Sequence, residues 1–255
     1  MTPHTALVQQ QFGPHAQNYV TSPDHARGDS LERLLAVVQP QPHWRVLDIA
    51  TGGGHTALAC APHVQEVVAT DLTPEMLAAA EKFIRAQGVS NITFKEADAM
   101  VLPFEAAEFD LVTCRIAPHH FPDCAGFVRE MARVLKPGGL AAVIDNVAST
   151  DQTAARHINA YEKLRDPSHV WMYAVPDWEA FYLGAGLRVT QVEQFEKAMD
   201  FERHCARLNV PPHIRQQMRV MLLHAPAPAR AALKPVVEGD RITFVLTEVL
   251  MVGQR

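Results

Sequence analysis

Cysteine is scarce in this chain, and the four present, Cys60, Cys114, Cys124 and Cys205, form no C-x-x-C pair and no spacing suited to structural zinc. A disulfide framework and a zinc ribbon are thereby excluded, and the thiols read as reduced and mostly buried. Long apolar runs are also missing: no uninterrupted stretch approaches the roughly 18 residues that span a bilayer. The opening MTPHTALVQQQFGPHAQ has no basic stretch leading into an apolar one, so a cytoplasmic protein is expected. Positive charge is not in excess either. Lys and Arg total 23 against 28 Asp and Glu, a net −5, which argues against nucleic acid or an anionic membrane as partner. What is present is a globular balance, 48% hydrophobic and 20% charged over 255 residues, enough to bury a real core.

Short apolar runs alternate with helix-period segments from about residue 45 to 145, the rhythm of a parallel sheet with helices on both faces. The expected strands are Arg45 to Ile49, Glu66 to Thr70, Ile92 to Lys95, Phe109 to Cys114 and Leu140 to Ile144. Thr73 and Pro74 open a helix whose Met76, Leu77, Ala80, Phe83 and Ile84 keep helical spacing up to Gly88. A second helix starts near Asp123 and stops at the turn Lys136-Pro137-Gly138-Gly139. Beyond residue 150, helices are expected over Thr153 to Leu164 and Trp178 to Leu183, a strand from Leu187 and a long final strand from Arg241 to Val252. Residues 198–235 read as a helical insert broken at Pro211-Pro212 and at 225–228, serving either as a substrate-facing lid or as plain packing.

The most informative stretch is Val46-Leu47-Asp48-Ile49-Ala50-Thr51-Gly52-Gly53-Gly54, a buried strand entering a loop without side-chain bulk. Read literally, Gly52-x-Gly54-x-x-Ala57 also fits a dinucleotide fingerprint. Asp48 separates the ligands. A dinucleotide would bring its pyrophosphate to this strand end, and two like charges about 4 Å apart repel by roughly 4 kcal/mol at an effective dielectric of 20. A carboxylate there suits a cationic, phosphate-free nucleoside such as S-adenosylmethionine; its other reading is a turn cap. Asp71 ends the second strand, where a carboxylate accepts ribose hydroxyl protons. Asp98 follows the third, placed to accept from an adenine amino group, with Ala99 and Met100 flanking the ring. Each acid alone is more often a cap or turn residue than a ligand contact; three at successive strand ends point to a ligand.

With VLDIATGGG at 46–54, VVATDLTPEML at 67–77, EADAMVLPF at 96–104, FDLVTCRIAPHHF at 109–121 and VREMARVLKPGG at 128–139, the chain resembles the class I S-adenosylmethionine-dependent methyltransferases. It is similar in particular to the small-molecule branch containing the ubiquinone and menaquinone C-methyltransferases. The usual first loop glycine is Ala50 here. The resemblance implies a Rossmann-like α/β fold: a seven-stranded, mostly parallel sheet in the order 3-2-1-4-5-7-6, helices on both faces, and a helical cap. Residues 1–255 would form one domain, with cap helices in 1–40, the cofactor-binding core in 41–150, and the rest of the sheet with its insert in 151–255. It also implies that Tyr19, Asp48, Ala50, Thr51, Gly52, Gly54, Asp71, Leu72, Met76, Asp98, Ala99, Met100, Cys114 and Arg115 surround S-adenosylmethionine and its product S-adenosylhomocysteine. Phe12-Gly13-x-x-Ala16-x-x-Tyr19 looks like a helix closing over that cofactor, with Tyr19 at the methionine end; its other reading is helix packing.

In-line methyl transfer needs collinear positioning, worth several kcal/mol, and an acceptor that loses a proton also needs a base. His119 and His120 follow the fourth strand, and histidine titrates near neutrality, so either can serve; the alternative is that one packs and the other faces solvent. Asp145 and Asn146 after the fifth strand, with Arg165 and His169 in the stretch 162–170, are candidate acceptor contacts, while Asp145 and Asn146 read equally as turn formers. No metal is expected. The Asn/Asp-Pro-Pro-aromatic motif of DNA amino-methylating enzymes is replaced by Cys114-Arg115-Ile116-Ala117-Pro118-His119, leaving a small molecule as the expected methyl acceptor. A nicotinamide-dependent oxidoreductase and a cofactor-binding protein without turnover are the rival readings. The acceptor's identity and the oligomeric state are beyond sequence.

Overall fold

The computed structural model describes residues 2–20 and 29–255. Five strands, β1 (Arg45–Ile49), β2 (Glu66–Asp71), β3 (Ile92–Glu96), β4 (Phe109–Arg115) and β5 (Leu135–Val147), pair in parallel. Val46, Leu47, Val67, Leu111 and Val112 are fully buried, as continuous apolar runs must be when both faces of a parallel sheet are covered. The sheet continues through β6 (Arg188–Asp200), the three-residue β7 (Val236–Glu238) and β8 (Arg241–Gln254). Its order is β3-β2-β1-β4-β5-β8-β6, with β7 paired to β8 and β8 antiparallel to both β5 and β6.

The seven-stranded Rossmann-like order therefore holds, with one strand added. β7 is a short hairpin arm on the start of β8, too brief to leave an alternating pattern in the sequence. Two other boundaries move. The helix before β5 ends at Val134, but Lys136-Pro137-Gly138-Gly139 already belongs to β5, with a register irregularity opposite Phe109 and Leu111. β6 runs to Asp200, so the insert's helices start at Phe201 rather than at 198.

One apolar layer joins α6 (Cys124–Val134) and α8 (Val175–Gly184) to the sheet through Phe127, Val128, Met131, Trp178 and Tyr182. Asp123 caps α6 by accepting the Gly126 amide. On the other face, α3 (Asp29–Val38), α4 (His55–Cys60) and α5 (Pro74–Ala86) contribute Leu34, Ala57 and Ile84. The helices of the insert, α9 (Phe201–Ala206), α10 (Pro212–Leu223) and α11 (Ala227–Leu233), break where the prolines fall. The last two pack on α7 (Gln152–Arg165) around a third cluster that includes Tyr161, Met218, Leu222, Leu233 and Phe244. At the N-terminus, α1 (Pro3–Phe12) and α2 (Ala16–Val20) lie beside the glycine loop. No helix among the described residues is long and apolar enough to cross a membrane.

Gly253, near the end of β8, is packed against an aromatic ring: a Cβ there would lie 2.5 Å from Cδ1 of the fully buried Tyr182. Gly253→Ala is expected to lower unfolding free energy by roughly 1–3 kcal/mol in urea titrations. An unmoved midpoint would mean that the ring can retreat.

Candidate active site

The strand order reverses between β1 and β4, the switch point where open α/β sheets bind ligands. A cavity of about 390 Å³ opens there, within the range of small-molecule sites. The glycine loop forms its floor. Ala50, standing where glycine is usual, has φ +51, a left-handed conformation that costs a side-chain-bearing residue roughly 1–2 kcal/mol. Gly52 lines the cavity, and a Cβ there would meet nothing within 4 Å. Gly54 instead packs away from it, its Cβ position 2.7 Å from Ile84 of α5. His55, next in sequence, lines the cavity and contacts the Tyr19 carbonyl through Nε2 at 3.1 Å, tying α2 to the loop.

All three acids reach the cavity. Asp48 is 1% exposed and accepts hydrogen bonds from the hydroxyls of Thr51 (2.6 Å) and Thr113 (2.8 Å). Burial outweighs these and pushes its pKa up to about 6. Asp71 accepts the amides of Gly52 and Thr73, each at 2.9 Å, and burial raises its pKa as well. The Thr73 side chain and the Leu72 backbone also bond it, and together these contacts work against the effect of burial. Asp98 closes a turn by accepting the Met100 amide at 2.9 Å. Thr51, Leu72, Met76, Ala99, Met100 and Arg115 line the same space, and Arg115 donates to Thr56 Oγ1 at 3.1 Å. Tyr19 lines it too, with burial pushing its phenol up to about 12. Cys114 does not: it lies in the apolar layer beneath α6, because alternate side chains of a strand point to opposite faces.

On the β4–β5 side stand His119, His120, Asn146 and Arg165. Asp145 lies behind this wall, accepting the His119 amide at 2.8 Å and meeting its ring Nδ1 at 2.6 Å. His120 Nδ1 meets Ser168 Oγ at 3.1 Å. His169, expected in contact with the acceptor, also sits behind the wall, 2.8 Å from Asn159 Oδ1 through Nε2. The stretch 162–170 acquires a role here: the Val170 and Trp171 amides both donate to the His119 carbonyl, docking this loop on the histidine turn. Glu162, Asp166, Lys197, His204 and Glu248 also line the cavity and escaped the sequence reading. They converge from α7, the loop after it, β6, α9 and β8, and only Glu162 and Asp166 are close in sequence; His55, beside the glycine loop, did carry a positional signal. Glu162 is held between Arg165 (2.8 Å) and His204 (2.9 Å); burial opposes its charge, but these partners hold its pKa well below the usual carboxylate range. Among the described residues no group of three or more His, Cys, Asp or Glu is arranged to hold a metal ion.

Residues 46–139 match the methyltransferase domain family, and a methyltransferase relative is 34% identical across 95% of the chain. The chain belongs to the class I methyltransferases. That relative is YcgJ of Bacillus subtilis, described as an uncharacterized methyltransferase, of which the match covers 96%. The YcgJ crystal structure superposes with a TM-score of 0.86, covering 89% of this chain and 97% of that one. The Bacillus halodurans structure of BH2331 gives 0.85 at 37% identity, with 89% and 99% covered. The demethylmenaquinone methyltransferase of Deinococcus radiodurans is 42% identical over 104 residues, 40% of this chain and 42% of its own length.

Because the folded pKa of Asp48 lies above its unfolded value, the folded chain binds more protons between pH 3.8 and about 6 and loses stability as pH rises through that window. Above it the cost is complete, roughly 3 kcal/mol at 1.36 kcal/mol per pH unit. Asp48→Asn is expected to stabilise the ligand-free chain near pH 8, by about 1–3 kcal/mol in chemical denaturation, and to have little effect near pH 4. Destabilisation at pH 8 would mean that the two threonine hydroxyls outweigh burial.

Proposed function

We propose that the chain is an S-adenosylmethionine-dependent methyltransferase that moves a methyl group to a small-molecule acceptor by in-line displacement. One observation carries this reading: Asp48, Asp71 and Asp98, from the ends of three strands, border a single cavity whose floor is open at Gly52. The residues present fit that cofactor. Asp71 puts a carboxylate on the cavity for ribose hydroxyls, and Asp98 with Ala99 and Met100 forms a polar edge and an apolar flank for adenine. Asp48 places negative charge where a dinucleotide would bring phosphate, which disfavours the nicotinamide reading. Tyr19 offers an aromatic face to a cation, an attraction of about 0.5–2 kcal/mol.

When bound, S-adenosylmethionine supplies an electrophilic methyl group on a cationic sulfur. The chain's part is to hold the acceptor in line with it, and the wall bearing His119, His120, Asn146 and Arg165 is the side from which an acceptor is held. Either histidine is a candidate base in this reading. The cavity admits a compact molecule, and the cell interior is the proposed location.

Calorimetry tests the assignment: heat with S-adenosylhomocysteine and none with NADH is expected, and the reverse would overturn it. Asp71→Ala is expected to weaken S-adenosylhomocysteine at least about tenfold, 1.4 kcal/mol, since ribose hydroxyls lose a charged acceptor. Affinity for S-adenosylmethionine is expected to fall as pH drops below about 6, where Asp48 gains a proton and stops attracting a cation. A flat profile from about pH 5 to 8 would remove Asp48 from the cation's surroundings.

A further inference from the structure

The two adjacent histidines are held in different ways, and the difference assigns them different work. Asp145, 1% exposed at the end of β5, takes both the backbone N–H of His119 and, at 2.6 Å, its ring Nδ1. The same carboxylate accepts the Asn146 amide at 2.9 Å, so its orientation is fixed by the backbone on two sides. A carboxylate only accepts, so Nδ1 of His119 carries the proton and Nε2 keeps the lone pair. His119 lines the cavity while Asp145 stands behind the wall. His120 has no such partner: its Nδ1 meets the Ser168 hydroxyl, its Nε2 is 3.9 Å from Asp166, beyond hydrogen-bond reach, and its carbonyl meets His4 Nε2 at 2.7 Å.

We propose, building on the methyltransferase reading, that His119 is the general base of the reaction, that Asp145 is the positioning residue that fixes its tautomer, and that the reacting atom of the methyl acceptor carries a dissociable proton. The balance is simple. The acceptor's electron pair makes the new bond to the methyl carbon as the carbon–sulfur bond breaks and leaves its electrons on sulfur. The acceptor's proton passes to Nε2 of His119 and then to solvent.

The surroundings of His119 set its titration. Facing it are Asp145 from β5, His120 from its own turn, Glu162 from α7, and Asp166 and His169 from the loop after α7; Arg165 stands beside His120 and His169. Burial works against a charge on His119, but Asp145, by attraction and by its hydrogen bond, with Asp166 and Glu162 behind it, raises the pKa overall. Burial and the neighbouring His119 and His169 push His120 well below the ordinary value, so it stays neutral.

The test is histidine-selective nitrogen-15 labelling of the full chain with S-adenosylhomocysteine present, read by long-range proton–nitrogen spectra from about pH 5 to 9. The neutral His119 ring is expected in the Nδ1–H form with a midpoint above that of free histidine, and Asp145→Asn is expected to lower that midpoint by about one pH unit or more. An Nε2–H ring, or a tautomer and midpoint indifferent to Asp145→Asn, would overturn the proposal. In parallel, methyl label from S-adenosylmethionine is followed into a metabolite extract. His119→Gln is expected to cut incorporation at least about 100-fold, with S-adenosylhomocysteine affinity within about threefold of wild type. Asp145→Asn should shift the acid limb of the rate profile down in pH together with the spectroscopic midpoint. Label on an oxygen, nitrogen or carbon that bore a proton supports the proposal and identifies the acceptor atom; label only on a protonless atom such as a thioether sulfur, or wild-type rates in His119→Gln, overturns it. Loss of S-adenosylhomocysteine binding by the wild-type chain would instead sink the cofactor reading, with the ring tautomer still legible in the ligand-free protein.

Discussion

Asp48 ends a strand whose neighbours on both sides are buried, and folding removes its carboxylate from water in exchange for two threonine hydroxyls. The site depends on this uncomfortable placement. A charge so poorly solvated gains more from a cation than one already hydrated, because a low-dielectric setting strengthens the attraction as much as it penalises isolation. Around it the sheet sets the other groups by register alone: Asp48 pairs with Thr113 of β4, which returns a hydroxyl to it, and Asp71 closes β2 one position beyond the residue that hydrogen-bonds Asp48's carbonyl. Strand pairing thus places Asp48 and Asp71, and only Asp98 is set by a turn.

This explains what the sequence revealed and what it concealed. Asp48, Asp71 and Asp98 were legible because each ends an apolar run, and run ends in a parallel sheet share one edge. Cys114 misled because adjacency in a strand is not adjacency in space: its neighbour Arg115 lines the cavity while Cys114 faces the opposite layer. Asp145 was noticed as a polar residue at a strand end, yet its work behind His119 depends on a register between β4 and β5 that no local pattern encodes. Glu162, His204 and Glu248 could not be joined by spacing, since tertiary packing of the cap on the sheet is what brings them together.

The family match spans residues 46–139, which carry Asp48, Asp71, Asp98, His119 and His120, whereas the lining residues from the N-terminal helices, α7, β6, α9 and β8 lie outside it. A sheet-end cavity whose lining is completed by residues outside the matched core lets one fold host many chemistries. The buried group Glu162, Arg165 and His204 illustrates the constraint on changing that lining. Glu162 is the shared partner, so removing it takes the carboxylate from both Arg165 and His204, and the three constrain one another's replacement.

α1 buries none of its residues completely, and it touches the body through Gln9 on the Leu72 carbonyl, His4 on the His120 carbonyl, and the Phe12 ring against His120 and Tyr19. Detaching it therefore takes only a fraction of the free energy that holds the sheet together. A helix held this way can come away from the cavity rim while the strands beneath it keep their register.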